Sequence, residues 1–358
     1  MPAVKRAERN LNVELLRIIA MLLIVLGHCI GHNHLAETFG GGIRYVLKFI
    51  QIVTLPATNC FVLVTGYYQS QSNFKFRKLL LLWLQLLFYS IVLYGICVVF
   101  LGEPFRPIEL LKALLPVSGN QYWFLRVFLG LYVLSPFLNG LAKTLEQKQF
   151  QKLLVINFVL FSLWRTFIPF AVTLNSEGGN SLIWFVVLYL TGAYLAQYPP
   201  QLSRRSIAMA LLGFIGIAFT GWLALDLFSN RLGLNGKGTS LLTEFTAFPI
   251  YGSAICALLL AVKSGEISAS NHIRYLITTI SSSVLGVYML HENIHVKQVL
   301  WPWLNLPGLT PAKLLPTIFI ATILIFIAGV VVDQLTWQIL SRNVQKYTKL
   351  SHLSNAQG

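Results

Sequence analysis

Residues 12–34 read NVELLRIIAMLLIVLGHCIGHNH, and the fold turns on how this stretch is read. It is apolar over about the 20 residues that a helix needs to cross a bilayer. Yet Glu14, Arg17 and His28 lie inside or at the edges of the apolar run. Eleven residues of α-helix return to within about 20° of the starting direction, so Arg17 and His28 share one face, roughly 16 Å apart along the axis. Glu14, Met21 and Ile24 complete that stripe. Each ionisable group in hydrocarbon costs roughly 2.5–3.5 kcal/mol on insertion scales, so the stripe belongs against protein or a wet cavity. A second reading stays open beside this one. Arg17 can reach the inner headgroups and pair with Glu14 one turn away, with His28 and His32 as ordinary boundary residues.

The whole chain has 358 residues, of which 56% are hydrophobic and 11% charged. That composition describes a polytopic membrane protein in contact with lipid, not a soluble domain. A net charge of +15 in a soluble protein would suggest nucleic acid. Here the basic residues are scattered singly between apolar runs, so they read as topology and no nucleic-acid partner is expected. No cleaved secretory signal is expected, because the first apolar run carries polar groups and has no small-residue cleavage site behind it. Cys29, Cys60, Cys97 and Cys256 fall within or at the ends of apolar runs without metal-ligand spacing, as buried small hydrophobes do.

The expected fold is an all-α bundle of about ten membrane helices. After the first, the spans fall at 46–68, 78–100, 122–141, 153–170, 181–197, 206–225, 241–262, 277–294 and 314–332. Pro56, with Asn59 close by, predicts a kinked second span beside a cavity. Placing the N-terminus in the cytoplasm puts most lysines and arginines there: Lys5, Arg6, Arg9, Lys75, Arg77, Lys78, Lys143, Lys148, Lys152, Arg204, Arg205, Lys263, Arg274, Arg342, Lys346 and Lys349. The other side keeps fewer, chiefly Arg44, Arg106, Lys112, Arg231, Lys237, Lys297 and Lys313. By this asymmetry both termini are cytoplasmic. The expected organisation is a tail at 1–9, a membrane domain at 10–333 and a second tail at 334–358, in the cytoplasmic membrane.

Arg17 would then lie near the inner end of its span and His28 in the outer half. An arginine fork suits a phosphate-bearing donor, since it binds phosphate bidentately and stays charged in any environment. A desolvated histidine stays neutral and serves as a base. Together they imply a donor entering from the cytoplasm and an acceptor hydroxyl activated at or beyond the midplane.

Several segments resemble the acyltransferase 3 family of integral-membrane acyltransferases. ELLRIIAMLLIVLGH is similar to its first-helix signature of an arginine, ten residues and a histidine, matched by Arg17 and His28. In FVLVTGYY, Phe61, Thr65, Gly66 and Tyr67 resemble its Ser-Gly-Tyr segment, with threonine for serine. YWFLRVFLGLYVLSP, with Trp123, Phe124, Tyr132 and Pro136, is similar to its central Trp-Phe-Leu helix. SSSVLGVYMLHENI, with Gly286, Tyr288 and His291, resembles its late Gly-x-Tyr-x-x-His helix. A family arginine pair after the second span is represented only by Lys75, Arg77 and Lys78.

The resemblance implies acyl transfer, usually of acetyl from acetyl-CoA as co-substrate, to hydroxyls of cell-surface carbohydrates. It casts His28 as catalytic base and Arg17 as a holder of the donor. Glu14, Asn59, Tyr67, Trp123, Arg126, Tyr288 and His291 are the candidate donor or substrate contacts around that pair. No bound cofactor and no metal are expected.

Two other readings compete. Residues 291–295, HENIH, match the H-E-x-x-H pattern in which two histidines one helical turn apart bind zinc and the glutamate acts as base. That chemistry needs a third ligand, and Asp226, read as a loop residue, and Asp333, at the cytoplasmic end of the last span, are poorly placed to supply it. His295 is therefore expected to be interfacial. His32 and His34 are also expected to be structural or interfacial, with Glu37 the nearest acid. Arg126 and Arg165 each need a partner such as Glu244. A glycan or lipid transporter would also use charged residues in its spans, but the matching halves common in transporters are not found.

Overall fold

The computed structural model describes residues 10–168, 177–233, 238–265 and 267–341, and among these the regular structure is entirely helical. The tail expected at 1–9, the end of the span expected at 153–170, Lys237, and the basic residues from Arg342 onward lie outside the described residues. Seven helical stretches are long and apolar enough to cross a membrane, so this is a membrane protein. Two more apolar helices are shorter, Leu182–Gln197 and Phe248–Lys263.

In chain order the main helices are α1 (Leu11–Gly31), α2 (Gly41–Thr54), α3 (Pro56–Gln69), α4 (Phe76–Phe100), α5 (Trp123–Thr144), α6 (Gln147–Phe158) and α7 (Leu182–Gln197). They continue with α8 (Arg204–Arg231), α9 (Phe248–Lys263), α10 (Asn271–Ser282), α11 (Val284–Glu292), α12 (Ile294–Trp303) and α13 (Pro311–Leu335). A π-helical turn, Val159–Leu163, carries α6 on into Trp164–Phe167. The kink expected at Pro56 separates α2 from α3, since proline cannot supply the amide that would continue the ladder. Similar breaks at Ser283 and Asn293 divide the ninth expected span into α10 and α11 and turn the chain into α12. The eighth span starts later than expected. Glu244 lies in a turn before α9, whose helix begins at Phe248 behind Pro249 in its first turn.

α1 is central and packs against α2, α3, α9, α10, α11 and α13. Its start is fixed by the Asn10 side chain, which accepts from Asn12 N, while the Asn12 amide donates to the carbonyls of Ser264 and Gly265 beyond α9. Without hydrophobic driving force between helices in lipid, close backbone approach at small residues does much of the packing. α3 and α7 cross in this way. A side chain at Gly66 would collide with the Tyr189 carbonyl, and one at Gly192 with the Leu63 carbonyl. The glycine of the Thr-Gly-Tyr segment is thus a packing residue. Gly286, in the late Gly-x-Tyr-x-x-His segment, makes room for the side chain of Asp333. That buried carboxyl accepts from Tyr89 (2.8 Å), Gln338 (2.9 Å) and Gln85 (3.3 Å), tying α13 to α4.

Two ion pairs bear on the expectations for charged residues, one correcting and one matching them. Asp226 is in α8, not in a loop, and it takes both guanidinium nitrogens of Arg44 at 2.6 and 2.8 Å. Arg165 pairs bidentately with Glu244 at 2.7 and 2.9 Å, the partner anticipated for it. Removing one member of such a buried pair leaves an uncompensated charge, which is why intramembrane arginines come with acids. Arg126 has no such place: its side chain is exposed on the outer face of α5. All four cysteines are free and buried.

Candidate active site

Two cavities adjoin along α1. The larger, about 790 Å³, runs beside the first four turns and beyond. Asn10, Glu14, Arg17 and Lys78 line one end; Met21, Ile24, Thr65, Trp123 and Phe124 line its middle; His28 and Tyr288 line the far end. The Arg17–His28 face therefore borders a cavity along its length. Arg17 also makes the pairing of the competing reading, with a nitrogen 3.0 Å from Glu14, and Glu14 accepts from the Ser281 hydroxyl. The smaller cavity, about 210 Å³, lies toward the C-terminal end of α1.

His28 stands where the two cavities meet, and its hydrogen bonds fix which ring nitrogen is basic. His291 is fully buried on α11, and its Nδ1 is 2.6 Å from the Val287 carbonyl. A carbonyl only accepts, so His291 Nδ1 carries the proton and His291 Nε2 is left as an acceptor. His28 Nδ1 lies 3.0 Å from that Nε2 and must donate to it. The same Nδ1 is 3.2 Å from Glu292 Oε1. The lone pair of the neutral His28 imidazole is consequently on Nε2.

Glu292 also holds His32, whose Nε2 is 2.5 Å from Oε1 and whose ring stacks on Trp301. The expectation that His32 is interfacial with no nearby acid but Glu37 is corrected here. Its partner is 260 residues away in sequence and reaches it only through the packing of α11 on α1. His34 stands outside this group, at a left-handed turn before a short helix.

HENIH does not form the zinc-binding helix that its spelling suggests. The helix ends at Glu292, Asn293 takes an extended ψ of 134°, and its side chain caps α12 by accepting from the His295 and Val296 amides. His295 is not interfacial as expected. It is buried and points away from His291, 2.7 Å from Glu103. A different set, His28, His32 and Glu292, brings three ligand-type atoms within 4.8 Å of one another. Two imidazoles and a carboxylate have the chemistry of a divalent-cation site, and the hydrogen bonds above account for the same approach.

Of the other candidate contacts, Glu14, Trp123 and Tyr288 line the larger cavity. Trp123 stacks on Phe245, and His291 is buried behind His28. Asn59 is committed to packing, donating to the Phe245 carbonyl at 2.8 Å and accepting from Trp184 at 3.2 Å. Tyr67 is not among the cavity-lining residues, whereas its neighbour Tyr68 is. Of the basic group after the second span, Lys78 alone reaches the cavity.

The acyltransferase domain family matches residues 10–333 of the chain. No curated protein and no solved structure matches it.

Proposed function

The chain belongs to the acyltransferase domain family and is a membrane acyltransferase, and on that premise we propose that it moves an acyl group, usually acetyl, from acyl-CoA to a carbohydrate hydroxyl. Arg17 and Lys78 take the donor's phosphates at one end of the larger cavity, and the acyl-pantetheine arm runs along it to His28. Arg17 then exchanges part of its pairing with Glu14 for the phosphates. His28 Nε2 removes the acceptor proton as the hydroxyl oxygen attacks the thioester carbonyl carbon. The new C–O bond forms, the C–S bond breaks, and the proton passes on to the departing CoA thiolate.

One observation carries this reading: the Val287 carbonyl, His291 and His28 form a relay that leaves His28 Nε2 unprotonated at the edge of the cavity that Arg17 also lines. Glu292 faces the Nδ1–H, so the imidazolium formed on proton uptake is stabilised where it arises. In this reading Leu182–Gln197, Phe248–Lys263 and the α6 segment complete ten spans. Both termini are then cytoplasmic, the donor enters from the cytoplasm and the acceptor from outside.

The test compares cells with and without the gene. Mass spectrometry of surface glycans should show alkali-labile acyl esters that depend on it, and the purified protein should bind acetyl-CoA. Unchanged glycans together with no acetyl-CoA binding would overturn the proposal.

A further inference from the structure

The smaller cavity shares Ile24, His28, Thr58 and Phe245 with the larger, so the two are separated by a thin wall that contains the base. Its volume of about 210 Å³ falls below the range of about 300–1,000 Å³ usual for drug-sized ligands, and suits one ring and not a chain. Ile24, Gly27, His28, Gly31 and His32 form its α1 side, where Gly27 is packed close against Thr54 and Gly31 leaves room in front of Gln51.

Two polar groups in it are uncommitted. Gln51 Oε1 accepts from Lys48 at 3.0 Å, whereas its Nε2 has no hydrogen-bond partner among the described residues. The amide faces α1, for a Cβ on Gly31 would lie 3.5 Å from Nε2. Thr58 is a helical threonine whose hydroxyl has no partner among the described residues. Thr65, Thr191 and Thr322 instead satisfy theirs on the carbonyl four residues back. Among the described residues no carboxylate, lysine or arginine lines this cavity, and Phe245 offers an apolar wall.

Resting on the acyl-transfer reading above, we propose that this cavity is the acceptor subsite, taking a single uncharged sugar ring whose hydroxyl meets His28, with Gln51 and Thr58 as its hydrogen-bonding contacts. The Gln51 amide donates to a ring hydroxyl. Thr58, in the shared wall, accepts from or donates to the sugar beside the reacting oxygen. The apolar wall covers the ring's C–H face. The acyl group arrives from the other cavity, so the two substrates meet only at His28.

Gly31 has ordinary negative φ, and a Cβ there would meet only the end of the Gln51 side chain, in ordinary contact at 3.5 Å, so Gly31→Leu fills the cavity without backbone strain. Cells expressing the parent, Gly31→Leu, Thr58→Val, Gln51→Leu or the exposed-site control Gly95→Leu are compared for alkali-labile acyl esters on surface glycans. The purified proteins are compared for acetyl-CoA binding. Gly31→Leu should lose ester formation by more than about tenfold and keep parental acetyl-CoA binding. Thr58→Val and Gln51→Leu should each lose roughly three- to tenfold, the worth of one neutral hydrogen bond. Gly95→Leu should match the parent. Parental ester levels in both Gly31→Leu and Thr58→Val overturn the subsite, as does loss of acetyl-CoA binding in Gly31→Leu, which would assign the cavity to the donor. If Gly31→Leu does not accumulate, the shape-preserving Thr58→Val decides alone. Should the parent itself add no ester, the acyl-transfer reading fails first, and that result is distinct from a working parent with indifferent variants.

Discussion

The two ends of α1 both carry ionisable residues on one face, but they are built differently. At the N-terminal end Arg17 and Glu14 pair at the rim of a wide cavity, with the arginine about one-third exposed. At the other end His28 and His32 are clamped through Glu292 and His291, two acceptors supplied by α11. An arginine keeps its charge anywhere, so it needs only room for an incoming anion. A histidine base has to present one particular nitrogen, and only fixed partners can choose the tautomer. The loose end fits binding and the tight end fits proton transfer.

The largest effect should come from the tight end. Replacing His28 with alanine removes the proposed base, and general-base catalysis is worth about 10²–10⁴-fold. Ester formation should fall by that order while acetyl-CoA binding to the purified protein stays near parental. Equal loss of both would show that the two ends do not divide the work.

Glu292→Gln comes next, and here the structure reverses what the sequence suggested. Read from HENIH alone, Glu292 matters only if zinc does, so its loss should be mild. Placed 3.2 Å from His28 Nδ1, it is positioned to support the proposed base directly. A hydrogen bond to a charged group is worth about 1.5–3 kcal/mol, or roughly 10- to 100-fold in rate. That loss should appear in kcat with little change in donor affinity, and chelators should not reproduce it in the parent. A chelator effect as large as that of Glu292→Gln would instead assign His28, His32 and Glu292 to a metal.

At the loose end Arg17→Lys keeps the charge and loses the fork. Acetyl-CoA affinity should weaken by roughly three- to tenfold, measured by titration of the purified protein, with the maximal rate less affected. Unchanged affinity would mean that Arg17 does not hold the donor.

The sequence shows one end of this comparison better than the other. Helical period alone puts Arg17 and His28 on one face, and hydropathy with Pro56 finds the spans and the kink. Glu292 could not be paired with His28 and His32 in that way, because nothing local links residues 264 and 260 positions apart. His295, expected at the interface, is buried instead, because Asn293 ends the helix and turns the chain into α12. Arg126, a candidate contact beside Trp123, is exposed and does not line the cavity, and nothing in the local spacing distinguishes the two, since residues three apart share a helix face. The i, i+4 spacing of His28 and His32 was the visible signal that the two act as a unit.

His295 provides the smallest expected effect on activity and the sharpest internal contrast, because it belongs to the same five-residue motif as His291 and Glu292. A zinc helix would make His291 and His295 equivalent ligands. The break at Asn293 makes them unlike: His291 sits behind the base, and His295 ties the start of α12 to Glu103 on the loop after α4. His295→Ala should therefore leave ester formation within about twofold of the parent. Its cost should fall on stability, because the buried contact with Glu103 is lost and an unmade hydrogen bond of this kind costs roughly 1–3 kcal/mol. Thermal unfolding in detergent should show a lower midpoint for His295→Ala, with acetyl-CoA binding intact below it. Activity as low in His295→Ala as in Glu292→Gln, with the unfolding midpoint unchanged, would mean that the motif works as one unit after all.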